Sequence, residues 1–381
     1  MTKNIYIIAG EPSGDALGGK LIQALKQQSK DELNFHGVGG TRMEEEGFES
    51  LFPMSELSIM GFVELIPHIP HMLKRINQTV ADILAKKPDV VITIDSPGFC
   101  FRVAKKLQES GIRLMHYVAP TVWAYKPKRA AKIAALYDEL LVLLPFEPPY
   151  FEKEGLKTHF VGHPIVEDVA LLGDKATFID AHNVNKDAKI LTMLTGSRKT
   201  ETKLLLPIYK QVIERLAPQF AALHIIFPTI PALEDEITAF AKSLNVPTTV
   251  LLDKQEKWHA YAASDVALAK SGTVTLEIAL AELPMVITYK VNRFSAWLIR
   301  RVIQIEFACL INLLQNKMVI PECLQEECNA ERLTSEVSEL LTNPEHAEVQ
   351  KFESKTALMK LGLAEEIAPS HKAAQAILAG F

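Results

Sequence analysis

Short apolar runs alternate with helical apolar stripes along most of this chain, and this alternation constrains the fold more than any other feature. Residues 4–9 (NIYIIA) lead into a glycine-containing turn, after which Leu17, Leu21 and Leu25 recur at helical spacing. Continuous apolar runs such as residues 90–94 (VVITI) are typical of strands that are covered on both faces. Alternating strand and helix units predict a parallel sheet with helices on both of its faces.

The pattern restarts after a polar stretch at residues 180–189 (DAHNVNKDAK), where residues 190–194 predict another strand. The chain has 381 residues, enough for two or three domains at roughly 100–200 residues each. We therefore predict an α/β fold in which two Rossmann-like, doubly wound domains face each other across a cleft, followed by a helical C-terminal tail. The expected bounds are residues 1–170, 171–345 and 346–381.

Charge and cysteine usage exclude several classes of function. The 41 basic and 46 acidic residues give a net charge of −5, so no global attraction to nucleic acid or anionic lipid is expected. The four cysteines form no CxxC pair, which argues against structural zinc or a disulfide framework and indicates a reducing cytoplasm. No apolar run approaches the roughly 18 residues of a membrane span, although contact with a membrane surface stays open.

The first turn to consider is residues 9–15 (AGEPSGD), because ligands of open α/β sheets bind beyond the carboxyl ends of the strands. Gly10 and Gly14 allow a backbone path that Cβ atoms would block. Ser13 or Asp15 could cap the following helix. The segment is either a tight capped turn or a site for an anion or sugar at a helix N-terminus.

A carboxylate stands directly after the next buried strand, at Asp95 in residues 95–99 (DSPGF). At that edge of the sheet it is placed to act as a general base on an attacking hydroxyl. The alternative is that Asp95 caps the helix that follows.

A glycine turn with a cation follows the first strand of the second series, at residues 195–199 (TGSRK). Backbone N–H groups, Ser197 and the Arg198 guanidinium suit phosphate oxygens, which arginine can bind bidentately. The alternative is an ordinary surface arginine.

Another strand is followed by residues 270–277 (KSGTVTLE), which predict the start of a helix. Such a start, formed here by Ser271, Gly272 and Thr273, can take a diphosphate. Glu277 lies one helical turn further on, where its carboxylate could bind two ribose hydroxyls.

Residues 57–70 (LSIMGFVELIPHIP) are apolar without a clean period. They predict either a core segment or an exposed patch for acyl chains or the bilayer. The predicted patch consists of Leu57, Ile59, Met60, Phe62, Val63, Leu65 and Ile66. For a second apolar segment, residues 293–301 (RFSAWLIRR), a core helix is favoured over a membrane-surface helix.

Two aromatic residues are followed by three basic ones at residues 123–129 (WAYKPKR). Since the rest of the chain offers no basic stripe, a phosphate or sugar-phosphate site involving Trp123 and Lys126 is favoured over nucleic-acid binding.

The ordered set of turns resembles the lipid-A-disaccharide synthase family over nearly the whole chain. The set is far more specific than any one member. Its members are residues 10–15 (GEPSGD), 94–97 (IDSP), 116–124 (HYVAPTVWA), 143–147 (LLPFE), 161–164 (VGHP), 196–198 (GSR), 271–277 (SGTVTLE), 312–314 (NLL) and 321–328 (PECLQEEC).

The resemblance implies the glycosyltransferase-B fold, with the acceptor and membrane surface on the first domain and the UDP-sugar donor on the second. It implies transfer of 2,3-diacylglucosamine from UDP-2,3-diacylglucosamine to 2,3-diacylglucosamine 1-phosphate with inversion, which gives the β-1′,6-linked disaccharide 1-phosphate and UDP. It further implies a peripheral enzyme on the cytoplasmic face of the Gram-negative inner membrane, with no cofactor and no metal. In family members the last helices cross back to the first domain and can be exchanged between subunits, which is compatible with a homodimer.

Residue roles also follow from the resemblance. Asp95 would deprotonate the acceptor 6-hydroxyl, with Glu11 as a second candidate, and Arg198 would stabilise the departing UDP. The donor site would comprise Ser197, Arg198, Ser271, Gly272, Thr273, Glu277, Asn312 and Gln325. Gly10, Ser13, Gly14, Asp15, Trp123 and Lys126 would belong to the first turn and the acceptor side.

Two departures and two rival interpretations remain. Many relatives have proline where this chain has Thr195, and a second tryptophan where it has Tyr125. The nearest enzyme rival is a UDP-N-acetylglucosamine 2-epimerase, which would need no acyl-chain surface. A non-catalytic nucleotide-sugar sensor or membrane adaptor would keep Arg198 and Glu277 but would not need Asp95.

Overall fold

A computed structural model describes residues 2–57, 69–292, 295–297, 301, 303 and 305–381. The chain forms two compact units, Met1–Pro164 with Ala364–Phe381, and Ile165–Leu363. Across the described residues, no helix combines the length and apolar character needed to cross a membrane.

Six parallel strands form the sheet of the first unit: β1 (Thr2–Ala9), β2 (Glu32–Val38), β3 (Val90–Ile94), β4 (Arg113–Tyr117), β5 (Glu139–Val142) and β6 (Lys157–Phe160). Their order is β2-β1-β3-β4-β5-β6. The helices between them are α1 (Pro12–Gln28), α2 (Thr41–Glu44), α3 (Ile69–Lys86), α4 (Pro97–Leu107), α5 (Arg129–Ala134) and α6 (Pro148–Glu152).

Alternate residues of β1 enter two different cores, as expected for a strand with helices on both sides. Ile5 and Ile7 pack on the side of α1, whereas Tyr6 and Ile8 pack on the side of α3 and α4. All four side chains are fully buried. Burial of one aliphatic side chain of this size contributes roughly 1.5–3 kcal/mol, so both faces hold the strand in register.

The second unit repeats this architecture with the strands β7 (Lys189–Leu194), β8 (Leu223–Pro228), β9 (Thr248–Leu251), β10 (Val266–Lys270), β11 (Met285–Tyr289) and β12 (Glu322–Leu324). They are parallel in the order β12-β11-β10-β7-β8-β9. Its helices are α7 (Lys175–His182), α8 (Lys199–Leu216), α9 (Glu234–Lys242), α10 (Lys254–Ala263), α11 (Val274–Leu280), α12 (Leu310–Gln315), α13 (Ala330–Thr342) and α14 (Pro344–Met359). The predicted pair of doubly wound domains is confirmed.

Each sheet has one point at which the direction of strand addition reverses. It lies between β1 and β3 in the first unit and between β7 and β10 in the second. Helices leave the sheet in opposite directions there, so a crevice opens at the carboxyl ends of the two strands. The turns that follow these four strands are therefore the expected ligand-binding positions.

The unit boundaries differ from those predicted. The first unit ends at Pro164 rather than at 170, and the chain returns to it at Ala364 rather than at 346. α14 stays in the second unit because Gln350, which is buried on this helix, bonds the backbone N–H and C=O of Met285 at 2.6 and 3.1 Å. Within the predicted tail, the last helix, α15 (Pro369–Leu378), is the one that packs on α1.

The prediction that Leu57 belongs to an exposed apolar patch is wrong, because this side chain is 8% exposed and belongs to the core of the first unit. The other patch residues, from Ile59 to Ile66, lie outside the described residues. In the second apolar segment, Trp297 is 50% exposed and stacks on Arg301, so this side chain is not in the core as predicted.

Candidate active site

The turns after β1 and β3 lie side by side at the switch point of the first unit. Ala9 and Ile94, the last residues of the two strands, pair in register. A Cβ on Gly10 would overlap the Ser96 hydroxyl, so glycine is what allows the two turns to approach. The two predicted carboxylates, Glu11 and Asp95, therefore stand on neighbouring strand ends.

Asp95 sits on an unusual backbone. Asp95 and Ser96 both have left-handed φ angles, +47° and +45°, which cost about 1–3 kcal/mol each in non-glycine residues. The Asp95 N–H donates to the Tyr117 carbonyl at 3.0 Å, which ties the turn to β4. Burial raises the pKa of the Asp95 carboxyl above its ordinary value, partly offset by a hydrogen bond from the Ser96 backbone. A carboxylate with a raised pKa is a stronger base, as the predicted role requires.

The capping alternative for Asp95 is not what the structure shows. Ser96, not Asp95, occupies the position before α4, and no side chain caps that helix. Likewise Glu11 precedes α1, which also has no side-chain cap, so neither Ser13 nor Asp15 caps it. Ser13 is exposed on the first turn of α1, and Gly14 is buried against Ile94.

Asp15 has a structural role that the prediction missed. It is 3% exposed and accepts three backbone N–H bonds, from Gly40, Arg42 and Met43, at 2.8–3.1 Å. These are the orphan donors at the start of α2, so Asp15 caps that helix rather than its own. Its assignment to the acceptor side is corrected accordingly.

Trp123 is held by a buried carboxylate that the sequence analysis did not single out. The Trp123 indole N–H donates to Glu147 Oε1 at 3.1 Å, and the Leu144 N–H donates to Glu147 Oε2 at 3.0 Å. Trp123 also meets Phe146 edge-on at 5.2 Å between ring centroids. The turns after β4 and β5 are thus joined beside that of Asp95. The sequence alone could have indicated this residue, since Glu147 lies in the turn after an apolar strand, as Asp95 does. Lys126, by contrast, is exposed.

Glu147 predicts a pH-dependent stability. Burial raises the pKa of this carboxyl from 4.5 to about 7, so the folded state binds a proton more readily than the unfolded chain between these values. The free energy of unfolding therefore falls as pH rises through that window, by about 3 kcal/mol at 1.36 kcal/mol per pKa unit. In urea titrations at pH 5 and pH 8, which span most of that window, the stability of wild type minus that of Glu147→Gln should fall by about 2.5 kcal/mol.

The matched control is Glu152→Gln, an exposed carboxylate on α6. Its difference from wild type should be the same at both pH values. A Glu147→Gln difference that also stays constant would show that burial does not shift the pKa of this group.

The switch point of the second unit brings together three charged side chains. Lys270 Nζ lies 3.1 Å from Glu201 Oε1, and Arg198 Nη1 lies 3.9 Å from the same oxygen. Gly196 has φ +94°, and a Cβ there would overlap the Glu201 carboxylate. Ser197 and the Arg198 side chain, which is 69% exposed, face solvent at the start of α8. Glu201 and Lys270 were not predicted as site residues.

The neighbouring strand ends carry most of the remaining donor-site candidates. Gly272 and Thr273 are exposed in the turn before α11, and the Ser271 hydroxyl donates to the Ala308 carbonyl at 2.9 Å. Gln325, with φ +53°, joins the end of β12 to β11 through its N–H bond to the Tyr289 carbonyl.

The Glu277 carboxylate has two partners on α10. Its Oε2 accepts from Lys257 Nζ at 2.7 Å and from the Tyr261 hydroxyl at 3.5 Å. Both partners contact the same oxygen, so they fix the orientation of a carboxylate predicted to bind ribose.

Asn312 does not line the donor site directly, as was predicted, because it is fully buried and its amide is used within the protein. Its Nδ2 donates to the Ile320 carbonyl and to Glu322 Oε1, both at 2.8 Å, while its Oδ1 accepts the N–H groups of Val319 and Ile320 at 2.9 Å. Glu322 in turn accepts the N–H groups of Ala308 and Cys309. Asn312 therefore supports the loop to which Ser271 is bonded.

Comparison with known proteins now separates the rival interpretations. The family model for lipid-A-disaccharide synthetase matches residues 5–377. This chain belongs to the lipid-A-disaccharide synthase family. The synthase of Rickettsia bellii is 46% identical, covering 98% of each chain, and that of Rhodospirillum centenum is 45% identical, covering 98% of this chain and 94% of the relative. The family resemblance is confirmed, and the chain is a glycosyltransferase of lipid A biosynthesis.

Solved structures show the same fold at low sequence identity. A Staphylococcus aureus MnaA–UDP structure has a TM-score of 0.64 at 14% identity, covering 93% of this chain and 94% of its own. A Neisseria meningitidis UDP-GlcNAc 2-epimerase bound to UDP-GlcNAc also reaches 0.64, at 12% identity, covering 100% and 99%. The glycosyltransferase-B fold is therefore shared with the epimerase rival, and it is the family match that decides between them.

Proposed function

We propose that this enzyme transfers 2,3-diacylglucosamine from its UDP derivative to the 6-hydroxyl of 2,3-diacylglucosamine 1-phosphate. The observation that carries the proposal is that each switch point holds the groups that one half of the reaction needs. A carboxylate whose pKa is raised by burial stands at one, and two cations converge on one carboxylate oxygen at the other.

The proposed step is a single in-line displacement. The acceptor O6 attacks the anomeric carbon of the donor as the bond from that carbon to the UDP oxygen breaks. The proton of the acceptor hydroxyl passes to Asp95, and the electron pair of the broken bond leaves with UDP. Because attack and departure occur on opposite faces, the α-linked donor gives a β-linked disaccharide 1-phosphate.

The second unit is proposed to hold the donor. Arg198 and Ser197, with the exposed turn of Gly272 and Thr273, suit a diphosphate whose negative charge grows as UDP departs. The Glu277 carboxylate, oriented through Oε2 by Lys257 and Tyr261, is placed to accept two ribose hydroxyls.

Because the proposed substrates carry acyl chains, the enzyme must reach them at a bilayer surface. We propose that it binds peripherally to the cytoplasmic face of the inner membrane. Helix α3, which begins at the end of the apolar segment 57–70, has Leu73 47% exposed and Leu84 45% exposed. These two residues are eleven apart, so they share a face of the helix. This supports an apolar contact there in addition to the segment itself.

The test is release of UDP in detergent micelles with both acylated substrates, with each one omitted, and with EDTA added. We expect release only when both are present, and no loss in EDTA, since no metal is proposed. UDP binding without release would favour the sensor. Conversion of UDP-N-acetylglucosamine alone would favour the epimerase.

A further inference from the structure

Lys270 occupies a position that the proposed donor site does not yet explain. It is the last residue of β10, and its neighbour Ala269 pairs in register with Leu194 at the end of β7. Its side chain is only 21% exposed, and Nζ lies 5.5 Å from the centre of the Tyr289 ring. Enclosing an ammonium costs desolvation and side-chain entropy, so a single ion pair at this edge does little for stability.

Glu201 fixes where the Lys270 ammonium points. This carboxylate, 11% exposed on the first turn of α8, takes Lys270 and Arg198 on the same Oε1 atom. Its other oxygen faces Gly196, whose missing side chain leaves room for it. Lys270 Cδ would lie 3.4 Å from a Cβ on Gly196, so the lysine stem passes directly over that turn. The three side chains carry a formal charge of +1 beside the exposed Ser197.

We propose that Lys270 is a second cationic ligand of the donor diphosphate, held beside Arg198 by Glu201 until the nucleotide binds. The inference rests on the proposed donor role of this switch point and adds a residue to it. A diphosphate presents two phosphoryl groups, and the two cations suit them differently. The guanidinium binds oxygens bidentately, whereas the ammonium acts as a point charge. A monophosphate offers only one group to the pair.

The test compares UDP and UMP affinity by titration calorimetry in wild type and Lys270→Met, which keeps the apolar stem. Loss of a charge-assisted contact should weaken UDP binding about tenfold or more. UMP binding should weaken by a clearly smaller factor, and Lys270→Arg should recover part of the UDP loss. The UDP affinity of Lys270→Met should also depend less steeply on salt.

The matched control is Lys189→Met, at the opposite end of β7, where the lysine pairs with Asp265 at 3.4 Å. It should bind both nucleotides as wild type does. Lys270→Met with wild-type UDP affinity would overturn the proposal, and so would equal losses for UDP and UMP, which would indicate a structural ion pair. If Arg198→Ala weakened UDP binding in the same titrations while Lys270→Met did not, only the Lys270 assignment would be overturned. A wild type that bound no UDP would overturn the donor site as well.

Discussion

Replacing Asp95 with asparagine is expected to lower kcat by about 10²–10⁴ while UDP affinity stays within about threefold of wild type. The carboxylate stands at the switch point of the first unit on a strained turn, and burial raises its pKa. The donor candidates lie in the other unit. Steady-state kinetics with both acylated substrates, together with UDP titration, separate turnover from donor binding.

The pH dependence of kcat offers a second test of Asp95 as the base. Asp95 acts as a base only when it is ionised, so kcat should fall as pH drops through its pKa. Since that pKa is raised, the acid limb should lie at higher pH than for an exposed aspartate, and Asp95→Asn should lack it.

The matched control is Asp89→Asn, a carboxylate just before the opposite end of β3 that accepts the Asn4 N–H at 2.8 Å. It should leave kcat within a few-fold of wild type. Glu11→Gln tests the other candidate. If it carried the large loss and the acid limb while Asp95→Asn did not, Glu11 would be the base.

Replacing Arg198 with alanine is expected to lower kcat by about 10²–10³, with a smaller loss of ground-state UDP binding. The reason is that negative charge on the UDP oxygen grows as the glycosidic bond breaks, so the guanidinium contributes most in the transition state. Its side chain is 69% exposed, so the change should leave the free energy of unfolding nearly unaltered. Single-turnover rates and UDP titration measure the two effects separately.

Arg332→Ala is the control, because Arg332 is similarly exposed in the same unit and pairs with Glu336 on α13. Its kcat should match that of wild type. An unchanged kcat with a loss of UDP affinity at Arg198 would mean that the guanidinium binds the nucleotide uniformly and gives no extra stabilisation to the leaving group.

The parts of the site that the sequence predicted are those that depend on strand ends. A buried parallel strand followed by a glycine turn indicates where the carboxyl edge of the sheet lies. The sequence therefore places Asp95, Ser197, Arg198 and Gly272 in turns that follow strands, and the structure has them there. What cannot be seen from one sequence is which side chains meet across different turns. The bonds from Trp123 to Glu147 and from Lys270 to Glu201 join segments 24 and 69 residues apart.

The wrong assignments share a physical cause. Asp15 and Asn312 are polar residues beside a site, and in both cases backbone N–H groups of another segment donate hydrogen bonds to the side chain. The sequence does not show such donors. The charged sequence of α14 likewise does not show which unit covers its buried residues. In the structure Gln350 bonds Met285 at the start of β11, which holds the helix in the second unit.

The most direct test of the account is the structure of the product formed from the two acylated substrates. Wild-type enzyme is incubated with both in micelles, and the isolated product is analysed by mass spectrometry and proton NMR. A β-1′,6-linked disaccharide 1-phosphate, formed in equal amount to released UDP and about 10²–10⁴ times more slowly with Asp95→Asn, is the predicted result. An α-linked product would contradict the single displacement, and UDP release without any disaccharide would contradict the proposed transfer itself.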